Sequence, residues 1–357
     1  MDCMPCEIKK LLFLSCTNVE EEIFFVSSDV NLLCAFNVEN KKIRFIDHCP
    51  DEIFSQSSLY GNIIYDNNKL ILAPLMAKNI WVYDFSNSHW GSIDLPENIA
   101  NISFKFFGMV QFGNNIFFLG HYYKGILCVD IDDKSVQEIP INIIDDGKEG
   151  ALFLWDYVIR DKWCYLPSLK SNQVVVLNLE TKEVEYRSIG DKKNKYVGLT
   201  WDGSYFWLAP RLNGKYVRWD GDTDVTEYSL PEEFNNEDFY FIGAYMDGYN
   251  VVFPGMVNRL GTLVFDKNTP NDTRIIKEEV SFYKSFNNTL IKQNMDGKLV
   301  IKDINKEILI DTMMNKEEWD SFEEDMVVAS YKKRVGENLF LYENSTDKLR
   351  YYLKCIT

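Results

Sequence analysis

The chain has 357 residues and a formal charge of −16, from 38 Lys and Arg against 54 Asp and Glu. That surplus of acid repels phosphate backbones and anionic lipid heads, which argues against general binding to nucleic acid or membranes. Hydrophobic residues at 46% and charged residues at 26% are the proportions of a folded protein, and no apolar run approaches the roughly 18 residues of a membrane helix.

The first ten residues, MDCMPCEIKK, show no basic stretch leading into an apolar one, so no secretory leader is read there and a cytoplasmic location is expected. Cys3 and Cys6 form a CxxC without a second pair, and zinc needs about four ligands, so neither metal nor cofactor is expected. The other cysteines are Cys16, Cys34, Cys49, Cys128, Cys164 and Cys355. Several sit inside apolar strand-like runs, as Cys128 does in GILCVD. Free buried thiols are the expectation.

From residue 11 onward a four-strand pattern recurs. Its clearest copy is residues 60–95, which read YGNIIYD, KLILAP, NIWVYDF and WGSIDL, separated by turn-forming Asn, Asp, Ser and Pro. An apolar or aromatic residue followed by Asp or Asn marks the end of each third strand, at Asn37, Asp84, Asp130, Asn178, Asp220 and Asp266, with a weaker copy at Asp303. A carboxylate or amide suits that place because it can accept hydrogen bonds from the backbone of the following turn. Pro74, Gly120, Pro167, Pro210 and Pro254 mark the ends of second strands, where a proline forfeits no ladder bond. An aromatic residue one or two positions before glycine marks first strands, at Gly61, Gly108, Gly198 and Gly243.

Two independent markers with a period of about 45 residues and four strands per unit predict an all-β fold, a β-propeller of seven or eight four-stranded blades in one domain, 1–357. Units fall at 11–49, 58–97, 105–141, 151–190, 196–231, 239–279 and 282–311, with three further strands at 326–357. Residues 315–326 read as an acidic insertion, and the N-terminal strand is expected to pair with C-terminal strands in closing the ring. The units resemble those of kelch-type and WD40-like bacterial propellers over essentially the whole chain. Trp219-Asp220 sits where the WD dipeptide would, and Tyr83-Asp84 resembles its V-Y-D variant. The kelch Gly-Gly and the WD40 Gly-His are absent, so the resemblance is one of architecture.

Propeller ligands usually bind where loops joining second to third strands share a face with the connections between blades. Those loops are 74–79, 120–125, 167–172, 210–215 and 254–260, and each holds a cation: Lys78, Lys124, Lys170, Arg211 and Arg259. His121, Tyr122 and Tyr123 join them. Converging Lys and Arg suit a carboxylate, a phosphate or an acidic peptide. Lys and Arg make up about a tenth of the chain, so chance alone often puts one in a six-residue loop. Acidic connections lie on the same face, among them Asp51, Glu52, Glu232 and Glu233.

Enzyme motifs are scarce. HExxH, GxSxG and the phosphate-binding glycine loops are absent, and two of the three histidines, His48 and His89, fall at the outer fourth strands. Trp81, Trp163, Trp207 and Trp219 read as packing between blades. The leading expectation is a non-catalytic recognition scaffold for a protein partner or a polar or anionic ligand. The alternative is an axial lyase, lactonase or glycoside-acting enzyme using His121.

Overall fold

The computed structural model describes residues 9–314, apart from 11, 29–30, 53–56, 144–149, 212–213, 235–240, 256–260, 279, 287–288, 295–297, 303–306 and 312. A short strand, β1 (Lys9–Lys10), opens it. Seven antiparallel sheets follow, each a run of four consecutive strands in the order of the chain. Blade 1 is β2 (Phe13–Val19), β3 (Glu22–Ser27), β4 (Leu33–Asn37) and β5 (Lys42–Asp47). Blade 2 is β6 (Tyr60–Asp66), β7 (Lys69–Pro74), β8 (Asn79–Asp84) and β9 (His89–Asp94). Blade 3 follows one helical turn, α1 (Glu97–Ala100), and is β10 (Phe106–Phe112), β11 (Asn115–Gly120), β12 (Gly125–Asp130) and β13 (Val136–Pro140).

Blade 4 is β14 (Val158–Arg160), β15 (Trp163–Pro167), β16 (Gln173–Asn178) and β17 (Val184–Ser188). Blade 5 is β18 (Tyr196–Trp201), β19 (Phe206–Pro210), β20 (Lys215–Trp219) and β21 (Val225–Ser229). Blade 6 is β22 (Tyr245–Asp247), β23 (Asn250–Phe253), β24 (Thr262–Asp266) and β25 (Thr273–Ile276). Blade 7 is β26 (Val280–Phe286), β27 (Thr289–Asn294), β28 (Lys298–Lys302) and β29 (Glu307–Asp311), after which β30 (Met313–Met314) pairs with β1. The architecture is a seven-bladed β-propeller. Residues 315–357, which hold the expected acidic insertion at 315–326 and the three further strands at 326–357, lie outside the described residues.

The inner strands of neighbouring blades touch one another, and alternation along each strand explains how the blades stack. Side chains at successive positions point to opposite faces. Leu70 and Leu72 of β7 pack against blade 1, with Phe24, Val26 and Ala35. Ile71 and Ala73 between them pack against blade 3, with Phe106, Met109 and Phe118. Each of those buried leucines contributes roughly 2 kcal/mol. Seven apolar clusters arise in this way, one between each pair of neighbouring blades. The cluster joining Phe13, Ile23 and Phe25 to Phe282, Ile291 and Leu299 closes the ring from blade 7 to blade 1.

The turns after the third strands of blades 1 to 6 are built as their sequence markers require, and Asp303 of blade 7 lies outside the described residues. The Asn37 carboxamide accepts the N–H groups of Glu39 and Asn40, and Asp84 accepts that of Ser86. Asp130 accepts Asp132 and Asp133, and Asn178 accepts Glu180 and Thr181. Asp220 and Asp266 repeat the device with Asp222 and Asn268. Trp81, Trp207 and Trp219 are buried between blades, and Trp163 is partly buried there. Cys16, Cys34, Cys49, Cys128 and Cys164 are buried free thiols.

Candidate functional site

Backbone hydrogen bonds tie the loops of one face into a belt. The second-to-third-strand loop of blade 2 offers the Leu75 carbonyl to Lys105 N–H, in the connection to blade 3. The Lys105 carbonyl accepts from His121, the His121 carbonyl from Leu152, and the Leu152 carbonyl from Leu169. Beyond that run, Tyr196 N–H donates to Ser168 and Arg211 N–H to Lys195. Hairpin loops and blade connections therefore alternate around a common face, which carries Lys78, His121, Lys124, Lys170 and Arg211. Gly120 begins the loop of blade 3 where blades 2, 4, 5 and 6 have proline. A Cβ there would collide with the carbonyls of Tyr123 and Gly125, so only glycine allows this tight turn.

Four of the predicted residues come together around this belt. His121 Nδ1 lies 2.6 Å from the Phe153 carbonyl, so Nδ1 carries the proton and donates it, leaving Nε2 as the acceptor of the neutral ring. The ring packs edge-on against Phe107 and Tyr122, at 4.6 and 4.9 Å between centroids. Burial pushes its pKa down to about 4; the bond to Phe153 opposes this, while the nearby charges of Arg211 and Lys124 add to it. Lys124 Nζ donates to the Gly150 carbonyl. Lys170, only 8% exposed, runs its side chain past the same glycine. Arg211 Nη1 donates to the Leu169 carbonyl at 2.6 Å, one residue from Lys170. Such an arc of cations beside a neutral imidazole can hold an anion.

The remaining predicted residues are placed otherwise. Tyr122 is 46% exposed on the face. Tyr123 turns inward, packs edge-on against Phe106 and donates its hydroxyl to Glu138 at 2.8 Å, so it belongs to the core. Lys78 is exposed but lies beside acid: the Glu52 carboxylate accepts its backbone N–H and the Trp81 indole N–H. Arg259 lies outside the described residues.

Sequence reasoning missed the polar groups beneath the face. Lys105 is fully buried, with Nζ donating to the Ala77 carbonyl at 2.7 Å, and burial lowers its pKa to about 8 against the pull of Glu52. Near the axis, the Tyr283 hydroxyl reaches both oxygens of Asp156, and Ala244 N–H donates to one of them at 2.7 Å. Burial pushes Asp156 up to about 7, against those two hydrogen bonds. With its N–H engaged by Asp156, Ala244 precedes the ladder of blade 6, which begins at Tyr245. Lys284, partly buried, donates to the carbonyls of Cys16 and Ile63 and approaches the Asn62 amide oxygen, linking blade 7 to blades 1 and 2. Partners tens to hundreds of residues apart leave no local trace; an isolated charge among apolar residues, just before a strand in SFKFFG and within one in SFYKSF, was the available signal.

No protein-family model matches the chain, and no curated protein does. Solved structures do. Virginiamycin B lyase from Staphylococcus aureus superposes with a TM-score of 0.60 at 13% identity, over 81% of this chain and 96% of the lyase. Sqt1 from Saccharomyces cerevisiae gives 0.58 at 11% identity, over 85% and 86% of the two chains. BamB from Moraxella catarrhalis gives 0.56 at 10%, over 88% and 91%. At such identities the likeness establishes one thing about this chain, its propeller fold.

Proposed function

We propose that the protein is a non-catalytic recognition scaffold whose loop face binds an anionic group of a protein partner or of a polar ligand. One observation carries the reading: Lys124, Lys170 and Arg211, from three successive blades, are drawn together around His121 and Gly150 in a chain of net charge −16. Local cations against an acidic background focus the field toward an anion. The kelch- or WD40-like repeat type, the cytoplasmic setting, and the lack of a nucleic-acid, membrane, metal or cofactor role belong to the same proposal.

The test is binding of acidic probes to the Lys124→Ala, Arg211→Ala double variant, with folding checked by its melting transition. Affinity for the probes should fall at least tenfold and the salt dependence of binding should flatten. Unchanged binding by a folded variant removes the basic arc from the function.

A second reading makes the face an active site, with His121 Nε2 as the base of a lyase, lactonase or glycoside-acting enzyme. The fixed tautomer of His121 favours it, and one of the similar structures is a lyase. Against it, the charges that bear on His121 are cations, where the expected metal-holding or acid–base constellation would bring carboxylates.

A further inference from the structure

Among the described residues, five large apolar or aromatic side chains are exposed: Phe104, Tyr122, Ile159, Tyr249 and Ile276. Two of these five touch. Phe104 and Tyr122 meet edge-on at 6.4 Å between centroids, with an interplanar angle of 76°, and remain 38% and 46% exposed. They stand at the cationic arc, because Tyr122 is also in ring contact with His121. Phe104 has φ of +51°, a left-handed conformation that is strained for a bulky side chain, and its carbonyl accepts the Tyr122 N–H at 3.1 Å. Glycine would fill that position without strain. An aromatic ring kept in a strained conformation, with more than a third of its surface open to solvent beside another ring, forgoes part of its packing. Such strain marks sites of function.

We propose that Phe104 and Tyr122 form an aromatic clamp that receives an aromatic side chain of an acidic segment in a partner protein, while Lys124 and Arg211 receive its neighbouring carboxylates. This rests on the loop-face reading above and specifies what that face selects. Two open rings set nearly perpendicular leave an edge and a face for a third ring, the geometry aromatic groups prefer. The anchors come from the connection between blades 2 and 3, from blade 3 and from blade 5. A peptide chain spans that arc, whereas a single small ring would occupy only one end of it. Charge complementarity then sets orientation, and the ring supplies the buried anchor.

The test uses two immobilised libraries of nine-residue peptides with Asp and Glu at random flanking positions. One has Phe, Tyr or Trp at the centre and the other has Ala. The wild-type protein should prefer the aromatic library by tenfold or more. Phe104→Gly and Tyr122→Ala should each erase that preference, and the Phe104→Gly protein should melt no lower than the wild type, which separates lost recognition from lost folding. Equal binding of both libraries, abolished by the Lys124→Ala, Arg211→Ala pair, overturns the clamp and leaves the basic arc standing. Binding of neither library overturns the clamp, while the acidic-probe measurement above decides the basic arc. Preference retained by both aromatic variants also overturns the clamp.

Discussion

The Tyr283 hydroxyl lies 2.6 Å from each carboxylate oxygen of Asp156, although the two residues are 127 positions apart. A tyrosine has one proton to donate, so it is shared by or alternates between the two oxygens, and Ala244 N–H supplies the second donor. Removing the hydroxyl in Tyr283→Phe leaves a buried carboxyl group short of a partner and should cost about 2 kcal/mol in urea unfolding.

The same carboxyl group makes stability depend on pH. Its folded pKa, about 7, lies above the ordinary carboxylate value near 4. Between those limits the folded protein keeps a proton that the unfolded chain releases, so the stabilisation is complete below about pH 4 and is lost as pH rises through 7. Asp156→Asn should therefore gain on the wild type as pH is raised across that window. Parallel stability curves for the two proteins would contradict this.

His121 acts in the opposite direction. Its folded pKa of about 4 lies below the ordinary histidine value near 6.5. The unfolded chain takes up the proton first, so the contribution of His121 is whole above about pH 6.5 and disappears as pH falls through 4. His121→Asn keeps a donor for the Phe153 carbonyl and should flatten the acid limb of the stability profile. Because the windows of His121 and Asp156 overlap with opposite sign, the wild-type profile understates both.

Two glycines, Gly243 just before the first strand of blade 6 and Gly91 in β9, should respond oppositely to alanine. Gly243 has φ of +155°, and a Cβ there would run into the Tyr283 hydroxyl and the Asp156 carboxylate. Gly243→Ala should lose 3 kcal/mol or more, on the order of the largest overpacking costs. Gly91, in β9 at the outer edge of blade 2, has no atom within 4 Å of such a Cβ. Gly91→Ala should be neutral or stabilising by about 0.5 kcal/mol, since it restricts the unfolded chain. Chemical denaturation of the pair measures both.

Asp130 caps its turn through two backbone N–H groups. Asp130→Ala should cost about 1 kcal/mol, and Asp130→Asn much less, because the amide oxygen still accepts. Asn178 should behave alike in blade 4. Equal losses for Ala and Asn would mean that charge, not the turn, is what matters there.

The fold was legible because its markers are local. Asn37, Asp84, Asp130, Asn178, Asp220 and Asp266 each bond to backbone two to four residues ahead, so the chemistry that builds the turn is written beside it. The unbroken apolar run in KLILAP likewise states outright that both faces of β7 are buried. The loop cations were legible for the same reason, since they follow a strand-ending marker. Tyr123 was misplaced because its direction is set by the tight turn between Gly120 and Gly125, which the loop sequence does not reveal. Asp156 and Tyr283 could not be paired, because closure of the ring alone brings them together. Phe104 gave no sign at all, since its conformation is fixed by a hydrogen bond from the next loop.

Lys284 lends the wheel an unusual joint. Every described blade is assembled from one uninterrupted stretch of chain, so no four-stranded ladder straddles the gap between last and first. It is spanned by the apolar cluster around Phe13 and Phe282, the Phe13 N–H bond to the Gln293 side chain, the two-residue pairing of β1 with β30, and an ammonium group that leaves one sector and fastens onto the next two. Last and first sectors are thus joined by side chains and one two-residue pairing, with Lys284 as a fastening shared by three blades.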